Sequence, residues 1–448
     1  MKGIPITDMS PIEHDAALPS SAPVVIIGGG IIGVMTAYFL AQKGVRPVLL
    51  EKGRIAGEQS ARNWGWVRQM GRDSAELPIM VEGNQIWHQL QTELTEDLGL
   101  RPCGLTYVAR SEKELAGFEG WLPHARENGV DTRMLSGAEL AGLIPQAQGT
   151  WPGAMHTPSD MRAEPWMAVP ALARAAVAAG AVIRENCAAR VLDVQAGRVA
   201  GVVSEAGRIA TRDVVVAGGA WSNLFLRRHG IGIPQLSVRA TVVATTPIPD
   251  VYAGGADFGE IALRRRVDGG YSLAEGDAHD LWIGPDAFRA ARAFWPQLCM
   301  DPFGRRYLPA APRDFPDAWG TKRHWSGDQV SPFERCRVLN PSPNRRKVGQ
   351  ILDRFSSLFP ALGAVRASAA WAGMIDTMPD VVPVVDRAEA LPGLMICTGM
   401  SGHGFGIGPA FGRIIADLVT GNAPGHDLTR FRLSRFSDGS ALELGPEL

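Results

Sequence analysis

Gly28-x-Gly30-x-x-Gly33 follows a β-branched run and opens a helical pattern, and Glu51 stands 18 residues after Gly33. Residues of these types at this spacing can hold a dinucleotide. Gly28 allows a tight turn. Gly30 removes the Cβ that would keep backbone away from a pyrophosphate, and Gly33 lets helix and strand pack closely. The N–H groups of Ile31 and Ile32 then open a helix whose dipole favours phosphate. Glu51 can accept hydrogen bonds from ribose hydroxyls and would repel a 2′-phosphate, so NADP is disfavoured.

That fingerprint leaves FAD and NAD open, and three further stretches favour FAD. A polar, glycine-bearing loop runs from Glu51 through Lys52, Arg62, Asn63 and Trp64 to Gly65, and can follow a large cofactor onward. Val214–Ser222 (VVVAGGAWS) ends a strand in small residues, with Gly218 and Trp221 placed to return the backbone to the cofactor. Thr398–Pro409 is a second glycine loop, containing Gly399, Met400, Gly402, His403, Gly404, Phe405 and Gly406, ahead of another helix. A helix N-terminus aimed at a flavin stabilises the negative charge that develops at N1/C2=O on reduction.

The elements that must position these loops are legible in outline. Val24–Ile27, a helix over about 31–43 stopped by Gly44, and a strand over 46–50 make a βαβ unit. Residues 78–150 read as mainly helical with one strand, Leu105–Ala109. A helix from Pro165 to Gly180 precedes strands at 181–183, 189–194, 197–204 and 214–217. From 236 to 345 the pattern turns to short alternating strands interrupted by a helix over 286–299. Leu394–Cys397 reads as a buried strand, and Pro409 and Gly421 bracket the last helix.

Here the chain resembles the D-amino-acid oxidase/glycine oxidase/sarcosine oxidase family of FAD-dependent amine and amino-acid oxidoreductases. VVIIGGGIIGVMTAYFLAQKG, LLEKGRIAGEQSARNWG, VVVAGGAWS, WAGMIDTMPDVVPVVD and CTGMSGHGFGIGPAFG carry the likeness, in the family's order over nearly the whole chain. The resemblance implies an α/β fold with a Rossmann-type FAD-binding domain built from segments 23–90, 150–235 and 346–440. Segments 91–149 and 236–345 would form an antiparallel-sheet α+β substrate-binding domain, and 1–22 a floppy leader or an extra surface strand. Val191 matches the position that meets adenine through its backbone. Some relatives attach FAD through a His at the position of Asn63 or through a later Cys. Asn63 is no nucleophile and Cys336 sits in an arginine-rich loop, so non-covalent FAD is expected.

Flavin-dependent amine oxidation removes hydride from the carbon bearing nitrogen and gives an imine that water hydrolyses. A substrate carboxylate would call for Arg, Tyr or backbone donors. Arg68, just beyond Trp64-Gly65-Trp66-Val67, is the first candidate; the alternative is an ion pair with Asp73 or Glu76. Tyr271, after Arg264-Arg265-Arg266, is a candidate pocket wall or donor, with core packing the even alternative. His403 is expected near the flavin or substrate, and Trp64, Trp66 and Trp371 are candidates for an aromatic pocket or for ordinary core.

Composition narrows the rest. The 45 Lys plus Arg against 46 Asp plus Glu leave no basic excess for nucleic acid. Five scattered cysteines and 9 histidines give no metal or disulfide framework, so no metal site is expected and a reducing, cytoplasmic compartment fits. The uncharged stretch Ala16–Gln42 reads as strand plus helix rather than a transmembrane span, because glycines interrupt it. The leading expectation is an FAD-dependent oxidoreductase acting on the C–N bond of an amino acid or secondary amine, with O2 or a quinone as electron acceptor. A hydroxy-acid or polyol-phosphate dehydrogenase, a flavin subunit of a hetero-oligomer and an NAD dehydrogenase remain alternatives. A homo-oligomer is compatible with the same residues.

Overall fold

The computed structural model describes residues 4–276, 279–301 and 304–445. Two large sheets organise them. The first is six-stranded, in the order Val384–Arg387, Leu394–Thr398, Asp213–Val216, Val24–Ile27, Val48–Leu50 and Val182–Arg184. All its pairs are parallel except the outermost, Val384–Arg387 against Leu394–Thr398. Its central strands are apolar except at their ends, Asp213 and Thr398, because both faces are covered.

The helix Ile31–Gln42 is buried on nearly every side. Helices Gly404–Thr420 and Pro165–Ala178 both pack against it, so it needs no polar face. Glycines set how closely the first of these approaches. A Cβ at Gly408 would lie 2.7 Å from Ile31 Cγ1, and one at Gly412 2.5 Å from Met35 Cβ. The two glycine loops of the sequence therefore end in helices that touch.

The second sheet is ten-stranded and mixed, dominated by antiparallel pairs. Its spine is Leu236–Thr245 against Ala367–Thr377, a long pairing that the sequence does not announce. Residues 236–345 read there as short strands only, and the spine's second strand is split between alanines and a Trp-Ala-Gly run that lacks alternation. Residues 153–157 and 367–377 are hydrogen-bonded into this sheet, although the sequence groups them with the nucleotide-binding segments. Arg133–Ser136 adds a strand to the region read as mainly helical. The 286–299 helix is two pieces, Pro285–Arg289 and Ala291–Met300.

The N-terminal segment is tied down as an edge extension rather than left loose. Asp15 bridges Arg184 and Ser21 bridges Ala210. The buried Glu185 carboxylate accepts the N–H groups of Glu13 at 2.6 Å, His14 at 2.9 Å and Ile55 at 2.7 Å. No described helix is long and apolar enough to cross a membrane.

Candidate active site

Both glycine loops open onto one cavity of about 870 Å³ between the sheets. The first loop turns at Gly28, whose φ of +114° suits glycine and whose missing Cβ would meet the Ala217 carbonyl at 2.3 Å. Gly33 is off the cavity wall. It packs on the Gly28 carbonyl, where a Cβ would come within 2.0 Å, and so lets the helix sit on its strand. Gly30, Ile31 and Ile32 line the cavity, and neither this helix nor Gly404–Thr420 has an acid in its first turn. Two positive helix ends thus face the same space without internal neutralisation.

Glu51 ends its strand beside the first loop. One carboxylate oxygen accepts the Gly29 N–H at 2.7 Å and the other the Gly53 N–H at 2.7 Å. Its remaining lone pairs are available to ribose hydroxyls. Burial raises its pKa to about 7, Lys52 opposing the shift and Glu58 adding to it. Lys52 and Glu58 form an ion pair at 2.6 Å that also takes in Trp221, whose Nε1–H donates to Glu58 and whose ring lies 4.4 Å from the Lys52 ammonium. Lys52 further donates to the Cys336 and Arg337 carbonyls, so this lysine fixes a loop as well as lining the cavity.

Arg62 and Asn63 hold the next loop in shape. Arg62 is buried and donates to the carbonyls of Gly57, Ala372 and Ile6, and burial lowers its pKa to about 10. The Asn63 side chain donates to the Gln59 and Ser60 carbonyls and accepts the Gly65 N–H at 2.7 Å. Trp64 lines the cavity, whereas Gly65 faces the Ala163 carbonyl and the buried Arg264. Gly218 and Trp221 line it from the strand end at Val216.

In the C-terminal loop, Met400, Gly402, His403, Gly404 and Phe405 are on the wall. Gly399 lies behind it against Met378, and Gly406 against Val67 and Trp66. Asp376 supports this loop: its buried carboxylate accepts the Gly399 N–H at 2.9 Å and the Gln235 side chain at 3.0 Å. The residue-level patterns of the sequence do not single out Asp376 or Glu58, because each acts through a loop distant in the chain.

Tyr271, Val191 and Trp371 also fall off the cavity wall. Tyr271 is fully buried among Phe355, Leu273 and their neighbours, and its hydroxyl serves Asp250, the Tyr252 carbonyl and the Val251 and Tyr252 N–H groups. Its strand points this side chain into the core, so it is structural. Val191 packs beside Gly327, and Ala189, across a register shift in the strand, takes the place on the cavity wall. Trp371 is also core, its indole donating to the Arg62 carbonyl. Arg264 pairs with Glu164 at 3.0 Å where both are fully buried, and Arg266 with Asp268 at 2.8 Å.

Arg68 does reach the cavity. Neither acid suggested by the sequence claims it: Glu76 pairs with Arg72 at 3.4 Å and Asp73 with Arg430 at 3.4 Å. Arg68 donates to the Met70 carbonyl and lies over the Tyr107 ring at 5.3 Å, with no ion pair to any described carboxylate. Asp160, the nearby buried acid, instead accepts the backbone N–H groups of Gln69 and Met70. Trp64 and Trp66, edge to face at 4.9 Å, form the adjoining apolar wall, and Ala240, Val242 and Ile375 of the large sheet close it opposite. Arg72 and Tyr107 are wall residues that sequence reasoning missed; the Arg68–Arg72 spacing was their only signal.

A family model described as FAD-dependent oxidoreductase (DAO) matches residues 23–418. The chain is 30% identical to the L-amino acid deaminase of Proteus myxofaciens, solved with anthranilate, at a TM-score of 0.90 over 95% of each chain. It is 26% identical to human peroxisomal sarcosine oxidase, over 92% of this chain and 95% of that one. It is also 26% identical to mouse mitochondrial sarcosine dehydrogenase, over 94% of this chain but 42% of that protein, so it spans under half the length of that relative.

Proposed function

The chain belongs to the DAO family of FAD-dependent oxidoreductases, and on that premise we propose that it oxidises the C–N bond of an amino acid whose carboxylate is held by Arg68. The single observation that carries the substrate class is Arg68 itself, a buried guanidinium on the cavity wall with no ion pair to a carboxylate among the described residues. A buried cation is costly without an anion, and planar bidentate pairing is what a guanidinium offers a carboxylate. Likeness to the Proteus L-amino acid deaminase and to sarcosine oxidase supports an amino acid or an N-methyl amino acid over a hydroxy acid.

The residues fit FAD. Two unneutralised helix N-termini, the Glu51 carboxylate and the Gly30 approach share one cavity long enough to join the two glycine loops. FAD, when bound, supplies the acceptor for the hydride from the substrate carbon. The protein's own part is to bind and orient. Ile31 and its neighbours would hold the pyrophosphate, Glu51 the ribose, and the Gly402–Gly404 turn the redox ring. Arg68 fixes the carboxylate, and Trp64, Trp66 and Val242 exclude water around the α-carbon. Asn63 has its amide engaged in the loop, and attachment of FAD is non-covalent in this reading.

Purified protein is mixed anaerobically with amino acids, N-methyl amino acids, simple amines and hydroxy acids. Bleaching of the flavin by carboxylated amines, and not by hydroxy acids, is the expected result. Bleaching by hydroxy acids alone overturns the C–N assignment. Rapid recovery of colour in air marks oxygen as acceptor, and recovery only on adding a quinone marks a dehydrogenase.

A further inference from the structure

Among the described residues, Glu76 Oε1 and His403 Nδ1 are buried without hydrogen-bond partners. They belong to neighbouring groups: Glu76 Oε2 lies 3.7 Å from His403 Nδ1. Arg72 clamps the pair, with Nη1 3.4 Å from Glu76 Oε2 and Nη2 donating to the His403 carbonyl at 3.2 Å. Glu76 opens the helix Glu76–Glu93 and His403 caps the helix Gly404–Thr420. His403 lines the cavity and Glu76 does not. Nδ1 is a buried atom of a ring that lines the cavity together with Arg68, and the relay below uses Nε2 as the atom that meets the substrate.

We propose that Glu76 is the proton acceptor for the substrate ammonium, reached through the His403 ring. The inference rests on the amine reading of the cavity. The ammonium gives one N–H proton to Nε2 while Nδ1 gives its own proton to a Glu76 oxygen. One ammonium N–H bond and the Nδ1–H bond break; an Nε2–H bond and a Glu76 O–H bond form. The imidazole changes tautomer and stays neutral, the substrate becomes a neutral amine, and the negative charge of Glu76 is quenched. A neutral amine is the form from which hydride can leave. The relay requires the ring to close the present 3.7 Å gap to Glu76.

The surroundings favour this direction of transfer. Arg68 and Arg72 face both groups, Asp73 faces Glu76 while held by Arg430, and the Tyr107 ring lies against Arg68. Two arginines and a helix end disfavour an ammonium in the cavity. Burial, reinforced by Arg72 and Arg68, pushes His403 well below its ordinary range, so an imidazolium does not accumulate. Burial raises Glu76 to about 7, against the opposing charge of Arg72, which suits an acid that must be ionised before transfer and protonated after it.

The test uses flavin-loaded protein. Anaerobic reduction by an amino acid should rise with pH through an apparent pKa near 7 in the wild type. In Glu76→Gln the limb should move to that of the free ammonium, costing roughly 100-fold at neutral pH and recovering in alkali. His403→Asn keeps the Arg72–Glu76 pair and should shift the limb in the same way. An independent readout is infrared: binding an α-methyl amino acid, which lacks the hydrogen to be removed, should raise a protonated-carboxyl band that Glu76→Gln abolishes. A limb near 7 that survives either substitution, a loss that is equal at every pH, or no carboxyl band in the wild type overturns the relay. If amines reduce the wild type and the limb survives, only the relay fails. If no amine reduces it, the amine reading fails and takes the relay with it.

Discussion

Gly412 meets Met35 where the C-terminal helix crosses the dinucleotide helix: a Cβ at Gly412 would lie 2.5 Å from Met35 Cβ and 2.9 Å from Thr36 N. That contact sets the two helix N-termini relative to one another, and through them the two glycine loops of the cavity wall.

Replacing Gly412 by Val forces the helices apart. Overpacking of this kind costs about 1–3 kcal/mol, and the displacement should reach both glycine loops. A lowered Tm together with weaker FAD binding is the expected outcome, measured by thermal unfolding and flavin fluorescence. Unchanged flavin affinity in a destabilised variant would mean that the crossing supports the fold alone.

Arg68→Ala should raise the KM for carboxylated substrates by roughly 10- to 100-fold, the range for losing a charge-assisted hydrogen-bonded pair. Uncarboxylated amines should be affected little. Arg68→Lys should restore only part of the loss, because a point charge does not reproduce the bidentate fork. Steady-state kinetics on matched substrate pairs measure this.

Glu51 predicts a pH dependence of cofactor binding. Its pKa of about 7 in the flavin-free fold means that it is protonated more readily than in the unfolded chain. Ribose hydroxyls donate to the ionised form, so FAD affinity should be full above that value and fall as pH drops through it, by up to about tenfold per pH unit. The same raised pKa makes the flavin-free protein lose stability as pH rises from the ordinary carboxylate range to about 7, since the native state holds the proton longer. Glu51→Gln should flatten both trends, followed by flavin titration and denaturant melts across pH.

Tyr271→Phe should lower stability by about 1–3 kcal/mol, because Asp250 and two backbone N–H groups lose their buried partner. Flavin reduction by substrate should be unchanged. A large loss of reduction rate without loss of stability would return Tyr271 to the active site.

Local pattern was enough for the parts whose physics is local. Gly28, Gly30, Gly33 and Glu51 act within one βαβ unit, so their spacing alone reveals the turn, the helix end and the acid that closes the second strand beside them. The loop at Gly402 was likewise readable as glycine placed before a helix. What tertiary structure alone decided is everything that depends on distant segments meeting. The pairing of Leu236–Thr245 with Ala367–Thr377 joins stretches more than a hundred residues apart, and no periodicity within either names the other. Tyr271 and Arg68 are both polar candidates in the sequence, Arg68 just past a Trp-Gly-Trp run and Tyr271 after three arginines. Tyr271 became core because its strand turns it into the packed face of the sheet, whereas Arg68, just past the end of the strand Trp66–Val67, reaches the cavity wall. Glu76 enters from the sequence only as a candidate partner for Arg68; its place against His403 comes from the packing of two helices whose starting residues are far apart in the sequence.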